Sequence, residues 1–138
     1  MALKTYSGSC HCGAVRFEAD IDLSQGTNRC NCSICTKART WFALVPPDNV
    51  RLIEGAGAHT DYQWTPPGKS ESFLHFQFCS TCGVRTFGYA GEGDKAFRFV
   101  SIAALDDVDA AELSAAPIRY ADGRNDRWDQ APEDNRPL

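Results

Sequence analysis

The sequence predicts a mainly β fold of several short antiparallel strands in packed sheets, with few short helices. Three observations carry that reading. Apolar and polar residues alternate over 14–20 and again over 72–79, the period of strands with one buried face. Turn-forming groups, Pro46-Pro47-Asp48, Gly55-Ala56-Gly57 and Pro66-Pro67-Gly68, punctuate the chain at short intervals. All seven cysteines fall into three tight groups: Cys10-His11-Cys12, Cys30-Asn31-Cys32-Ser33-Ile34-Cys35 and Cys79-Ser80-Thr81-Cys82.

A chain of 138 residues and 15.2 kDa has the size of one domain, 1–138, and can bury a core without disulfides. It shows no apolar run fit for a signal peptide and no 18-residue apolar stretch, so no membrane partner and a cytoplasmic location are expected. In a reducing compartment, an odd number of cysteines at short spacings points to metal rather than to bridges. With 14 Lys and Arg against 18 Asp and Glu, the net charge is -4. That balance, with no basic run, weighs against nucleic acid as a partner. Small-molecule chemistry or protein binding remains, and nothing in the sequence sets the oligomeric state.

In chain order, Cys10 and Cys12 are read as extended, with both thiols on one side, and Gly13 lets the backbone turn before the strand at 14–20. After a polar stretch at 22–28 comes the triplet, and 33–39 reads as one or two helical turns whose N–H groups aim at the sulfurs. Strands follow at 40–45, 49–54, 60–65, 72–79, 84–89 and 96–102. A helix over 108–115, capped by Asp106 or Asp107, precedes an edge strand at 117–120 and a charged segment at 121–138 that either docks or stays solvated.

Zinc takes four thiolate or imidazole ligands in structural sites and three plus an open position where it does chemistry. Seven cysteines divide accordingly. Cys10, Cys12, Cys79 and Cys82 are read as a closed structural site, and Cys30, Cys32 and Cys35 as ligands of an open second zinc, where function should lie. His11, His59 and His75 are scattered; His75 is the candidate general base by residue type, with nothing in the sequence to fix its geometry.

The motifs Gly8-Ser9-Cys10-His11-Cys12-Gly13-Ala14-Val15-Arg16-Phe17, Cys30-Asn31-Cys32-Ser33-Ile34-Cys35 and Phe78-Cys79-Ser80-Thr81-Cys82-Gly83 resemble those of the glutathione-dependent formaldehyde-activating enzyme family. That family also includes centromere protein V and has the Mss4-like fold. Asp122-Gly123-Arg124-Asn125 resembles its C-terminal segment. The resemblance implies the same division of zinc ligands and a carbon-sulfur lyase-type reaction that joins glutathione to formaldehyde as S-hydroxymethylglutathione. The alternative is a non-catalytic zinc module that binds a thiol or a protein partner. If glutathione is the ligand, Lys37 and Arg39 are the cations nearest the triplet by chain. Arg124 and Arg127 can add carboxylate contacts, and Trp41 or Trp128 can cover the peptide, with Trp41 as a core residue the competing reading.

Overall fold

A computed structural model describes residues 2–68 and 74–138. Among these, ten strands form two sheets. The smaller sheet has the order β1-β2-β5, built from β1 (Lys4–Ser9), β2 (Arg16–Ile21) and β5 (Val50–Glu54), all antiparallel. The seven-stranded sheet has the order β10-β3-β4-β9-β8-β7-β6. Its strands are β3 (Thr27–Cys30), β4 (Trp41–Val45), β6 (His59–Trp64), β7 (Leu74–Cys79), β8 (Arg85–Ala90), β9 (Phe97–Ser101) and β10 (Ile118–Ala121). Only the β10–β3 pair is parallel. The fold is mainly β, as the alternation predicts, and no helix among the described residues is long and apolar enough to cross a membrane.

The larger sheet buries apolar side chains on both faces. Ala43, Val45, Phe87 and Val100 meet Tyr6, Phe17, Ala19 and Ile21 of the smaller sheet, with the Phe17 and Phe87 rings edge to face at 5.3 Å. On the other face Phe76, Ala90 and Phe99 gather Phe42, Trp64 and Ile34 into a second cluster, which continues into that of Cys30, Cys32 and Cys35. A sheet apolar on both sides needs two covers, and only the first face has a second sheet over it.

Local readings differ from the sequence in four places. β1 and β3 were not expected: β1 carries a single large apolar residue, Tyr6, and β3 buries Thr27 and Cys30 without alternation. Residues 10–13 form a turn rather than an extended segment, so β2 starts at Arg16 instead of residue 14. The helix α2 (Ala110–Ala115) is capped by Asp109, whose side chain accepts from the Ala111 N–H at 3.0 Å. Asp106 and Asp107 hold β1 instead, through the Ser9 hydroxyl at 2.7 Å and the Ser7 N–H at 3.0 Å. In β7 a register shift between Phe76 and Phe78 breaks the expected alternation, so that Phe76 and Cys79 are the buried pair; Ser72 and Phe73 lie outside the described residues.

Gly88 is where the sheet tolerates no side chain, because a Cβ there would collide with the His75 carbonyl and the Phe99 ring. Gly88→Ala is expected to destabilise by about 2 kcal/mol or more, lowering Tm by roughly 5–10 °C in a thermal melt.

Candidate metal centres

Both cysteine pairs sit at hairpin tips. Cys10–Val15 turns β1 into β2 and Cys79–Val84 turns β7 into β8, and the two turns close alike: Cys10 N–H to Val15 O and Cys79 N–H to Val84 O, each 3.0 Å. Gly13 and Gly83 end the turns at φ of 81° and 78°, a left-handed conformation that glycine adopts without strain. Backbone N–H groups point at sulfur in both, from Val15 to Cys10 Sγ and from Thr81 to Cys79 Sγ, at 3.3 Å. Backbone donation from Cys12 and then Val84 draws the Cys82 thiol down to about 6, and donation from Cys82 and Thr81 lowers that of Cys79.

All four sulfurs lie within 4.8 Å of one another. The Cys10–Cys12 and Cys12–Cys79 separations are 3.7 Å. Four tetrahedral bonds of about 2.3 Å to one ion require sulfur–sulfur edges of roughly 3.8 Å, so this set fits a four-thiolate ion. It joins the tip of a hairpin in one sheet to the tip of a hairpin in the other.

The triplet is assembled differently. Cys30 ends β3, Cys32 precedes the helix α1 (Ser33–Ala38) and Cys35 lies within it, at 3%, 4% and 7% exposure. Their sulfurs also lie within 4.8 Å of one another. Hydrogen bonds from the Cys32 and Cys35 thiols draw the Cys30 pKa down to about 3, helped by the Cys32 and Gly123 N–H groups, while hydrogen bonds to Cys30 and then Cys32, with burial, push that of Cys35 up.

Much of the triplet's surroundings comes from far along the chain. Asn31 Nδ2 donates to buried Asp122 at 2.8 Å, and Asn31 Oδ1 accepts from the Arg124 N–H at 3.0 Å. Arg124 Nε bonds Asn31 O at 3.1 Å and its Nη2 reaches Thr36 Oγ1 at 3.3 Å. Asn125 and then Asn31 amides hold the Asp122 carboxyl below its usual range. Gly123 passes so close that a Cβ would stand 2.8 Å from Cys30 Sγ and 2.6 Å from the Trp128 ring.

Two cavities border the triplet. One, of about 420 Å³, is walled by Phe42, Trp64, Phe76, Phe99 and Trp128 and touches all three cysteines. The other, of about 230 Å³, is basic, lined by Arg29, Arg39 and Arg124 with Cys30 and Cys35.

The residues read from sequence are placed unequally. Arg39 and Arg124 line the basic cavity, where Arg39 Nη1 also donates to Pro137 O at 2.6 Å. Trp128 lines the apolar one. Trp41 lines neither; its Nε1 donates to Thr27 Oγ1 at 2.8 Å and Arg29 lies over its ring at 4.7 Å. Lys37 and Arg127 are exposed and line neither cavity. His75 stacks on Tyr89 at 4.1 Å and pairs with Asp61 at 2.7 Å, apart from both cavities. His59 contacts Thr86 at 2.6 Å, and His11 is exposed in the first turn. Sequence reasoning passed over Phe42, Trp64, Asn31 and Asp122. The last two stand inside the quoted motifs, whereas Phe42 and Trp64 look like any strand aromatic.

Residues 5–120 match the family model described as "Glutathione-dependent formaldehyde-activating enzyme". The chain belongs to this family. A protein of Halomonas elongata, provisionally named a glutathione-dependent formaldehyde-activating enzyme, is 38% identical over 84 residues, 54% of this chain and 50% of the relative. The chain thus spans about half the length of that curated relative. The crystal structure of a Rhodobacter sphaeroides protein superposes with a TM-score of 0.64 at 28% identity, covering 82% of this chain and 99% of that one. The family match ends before Asp122, so the tail contacts around Cys30 lie beyond it.

Two predictions separate the centres. If the two groups hold metal, Cys82→Ser is expected to give metal-poor protein with a strongly lowered Tm, because its four cysteines join distant hairpins, whereas Cys32→Ser should lose metal with little change in melting. Bound metal is read by elemental analysis beside the melt. Gly123→Ala should push on Cys30 and Trp128 and lower cobalt affinity at the triplet by about tenfold or more, the scale of a disturbed outer-shell contact, without global unfolding.

Proposed function

We propose that the protein is a single zinc-binding domain that takes a small thiol, glutathione first among them, at the three-cysteine site and joins it to formaldehyde or a related aldehyde in a carbon-sulfur lyase-type reaction. The observation that carries this is the pair of chambers meeting at the triplet, one basic and one aromatic, in a chain of this family. A zinc ion held by Cys30, Cys32 and Cys35 would supply an open coordination position and lower the pKa of an incoming thiol.

The chain's own groups account for the rest. Glutathione carries two carboxylates, which Arg29, Arg39 and Arg124 can receive in the basic chamber. The aromatic chamber lines the approach to the sulfur with apolar side chains, leaving a small aldehyde room to approach. The addition balances without redox chemistry: sulfur loses its proton, bonds the carbonyl carbon, and the carbonyl oxygen takes up a proton.

A second reading, a thiol-binding module without catalysis, rests on one observation: none of the three histidines lines either chamber, and Asp134, the carboxylate that does, pairs with Arg136 at 2.7 Å. Cobalt-substituted protein distinguishes them. Glutathione should change the thiolate-to-cobalt absorption and S-methylglutathione should not, and formaldehyde added with glutathione should be consumed faster than in buffer. An equal response to both ligands, or to neither, rejects thiol ligation. A selective response without faster consumption supports the binding module.

A further inference from the structure

The larger sheet carries one apolar face with no second sheet over it, and the hollow on that face is the aromatic chamber beside Cys30, Cys32 and Cys35. Six of the side chains lining it, Phe42, Leu44, Trp64, Leu74, Phe97 and Trp128, are partly buried or exposed rather than buried, so solvent reaches their apolar surface. Leu44 is 50% and Trp128 46% exposed. Exposed apolar residues scattered singly are ordinary, but their concentration around one space of about 420 Å³ is the form of a small-molecule pocket. Trp128 is fixed in place there. Its indole N–H donates to Asp126 Oδ1 at 2.7 Å, and its ring lies so near Gly123 that a Cβ would stand 2.6 Å from it.

The chamber's chemistry narrows its occupant. No charged side chain lines it among the described residues. A carboxylate or ammonium entering it would be desolvated without a partner, which leaves the charged ends of glutathione to the arginines of the other chamber. Formaldehyde is too small to use the space. At roughly 30 Å³ for each heavy atom, the share of one water molecule in the liquid, formaldehyde takes on the order of 60 Å³, whereas 420 Å³ admits on the order of ten such atoms. An uncharged occupant that fills the space and meets the sulfurs at one end is an apolar chain or ring ending in the reacting carbonyl.

We propose that the aromatic chamber receives the apolar body of the aldehyde, a chain or ring of roughly six carbons or more, and that Trp128 is a residue setting this preference. The bonds made are those of the smaller aldehyde: sulfur loses its proton and bonds the carbonyl carbon, and the carbonyl oxygen takes up a proton. That the ligand is an aldehyde rests on the function proposed above; the apolar subsite does not. Trp128 stands beyond the residues that match the family, so the preference is not one that membership alone would supply.

The tryptophans make the subsite readable by itself. Trp64 and Trp128 line the chamber, Trp41 lines a neighbouring cavity, and no tryptophan lines the basic chamber. Straight-chain alcohols from ethanol to octanol carry an aldehyde's chain without its carbonyl, and indole N–H signals in the NMR spectrum of isotope-labelled, metal-loaded protein report where they bind. Hexanol should shift the Trp64 and Trp128 signals and not that of Trp41, with affinity across the series rising about threefold to fourfold for each methylene until the chamber is filled. Trp128→Ala, read on Trp64, should bind hexanol at least about fivefold more weakly, and Leu44→Asn, at the other exposed position, serves if that variant fails to fold. No binding, affinity independent of chain length, a response confined to Trp41, or unchanged affinity in the variants overturns the subsite. Turnover with glutathione then reads the aldehyde. Hexanal and acetaldehyde present the same kind of carbonyl, and kcat/KM should be at least about tenfold higher for hexanal in the parent and fall toward parity in Trp128→Ala. A cobalt spectrum indifferent to glutathione, beside chain-length-dependent binding of alcohols, would keep the subsite and reject the thiol reading. A spectrum that answers to glutathione, beside alcohols that do not bind or acetaldehyde favoured over hexanal, would keep the thiol reading and overturn this one.

Discussion

The structure depends first on four sulfurs brought together across 67 residues of chain, from Cys12 to Cys79. Each pair closes a hairpin tip, and the tips belong to different sheets, so whatever holds the sulfurs together also fixes how the smaller sheet sits on the larger. An ion there would close a long loop, and the energy of its binding would then belong to folding. The like closure of the two turns, each with an N–H to sulfur bond and a terminal glycine, makes the junction symmetrical although the spacings, one residue between cysteines in one turn and two in the other, differ.

The triplet has the opposite dependence. Three thiols within six residues join no distant segments, so they add little to the topology, and their environment is recruited from elsewhere. Asn31 and Asp122 bind the tail to the triplet loop, Gly123 fits against Cys30, and Trp64 and Phe76 reach over from β6 and β7. The uncovered apolar face of the larger sheet becomes, in this way, the wall of a chamber. Under the proposed reading, a closed site that supports the fold and an open site that the fold surrounds would be two outcomes of one rule, that chain separation between ligands sets how much of the structure depends on them.

The two converging cysteine groups and most of the strands were legible from short-range patterns. Alternation of period two marks a half-buried strand, and short cysteine spacings mark groups whose thiols can converge. β1 and β3 escaped because their burial comes from pairing rather than from apolar content: Thr27, fully buried, spends its hydroxyl on the Trp41 indole. The cap of α2 was misplaced because three aspartates compete within four residues, and Asp106 and Asp107 are drawn away by β1 across the fold. The chambers were illegible for the same reason. Phe42 and Trp64 acquire a role only once β4 and β6 take their places on opposite sides of β9, β8 and β7.

The net charge of -4 says little about the triplet, which lies among cations. Arg29, Arg39 and Arg124 line one adjoining chamber. A protein can thus repel polyanions at long range, where screening leaves only the total charge to act, and still attract a small anion within a Debye length of one site. Under the proposed reading, three thiolates and a divalent ion carry a net charge of about -1, which weakens the ion's pull on a carbonyl while surrounding arginines offset the excess charge. Such a centre is better suited to holding sulfur than to polarising an aldehyde, so the protein's contribution to the addition would lie in placing the thiol, and the arginines that hold the rest of its molecule would matter as much as the ligands that hold the metal.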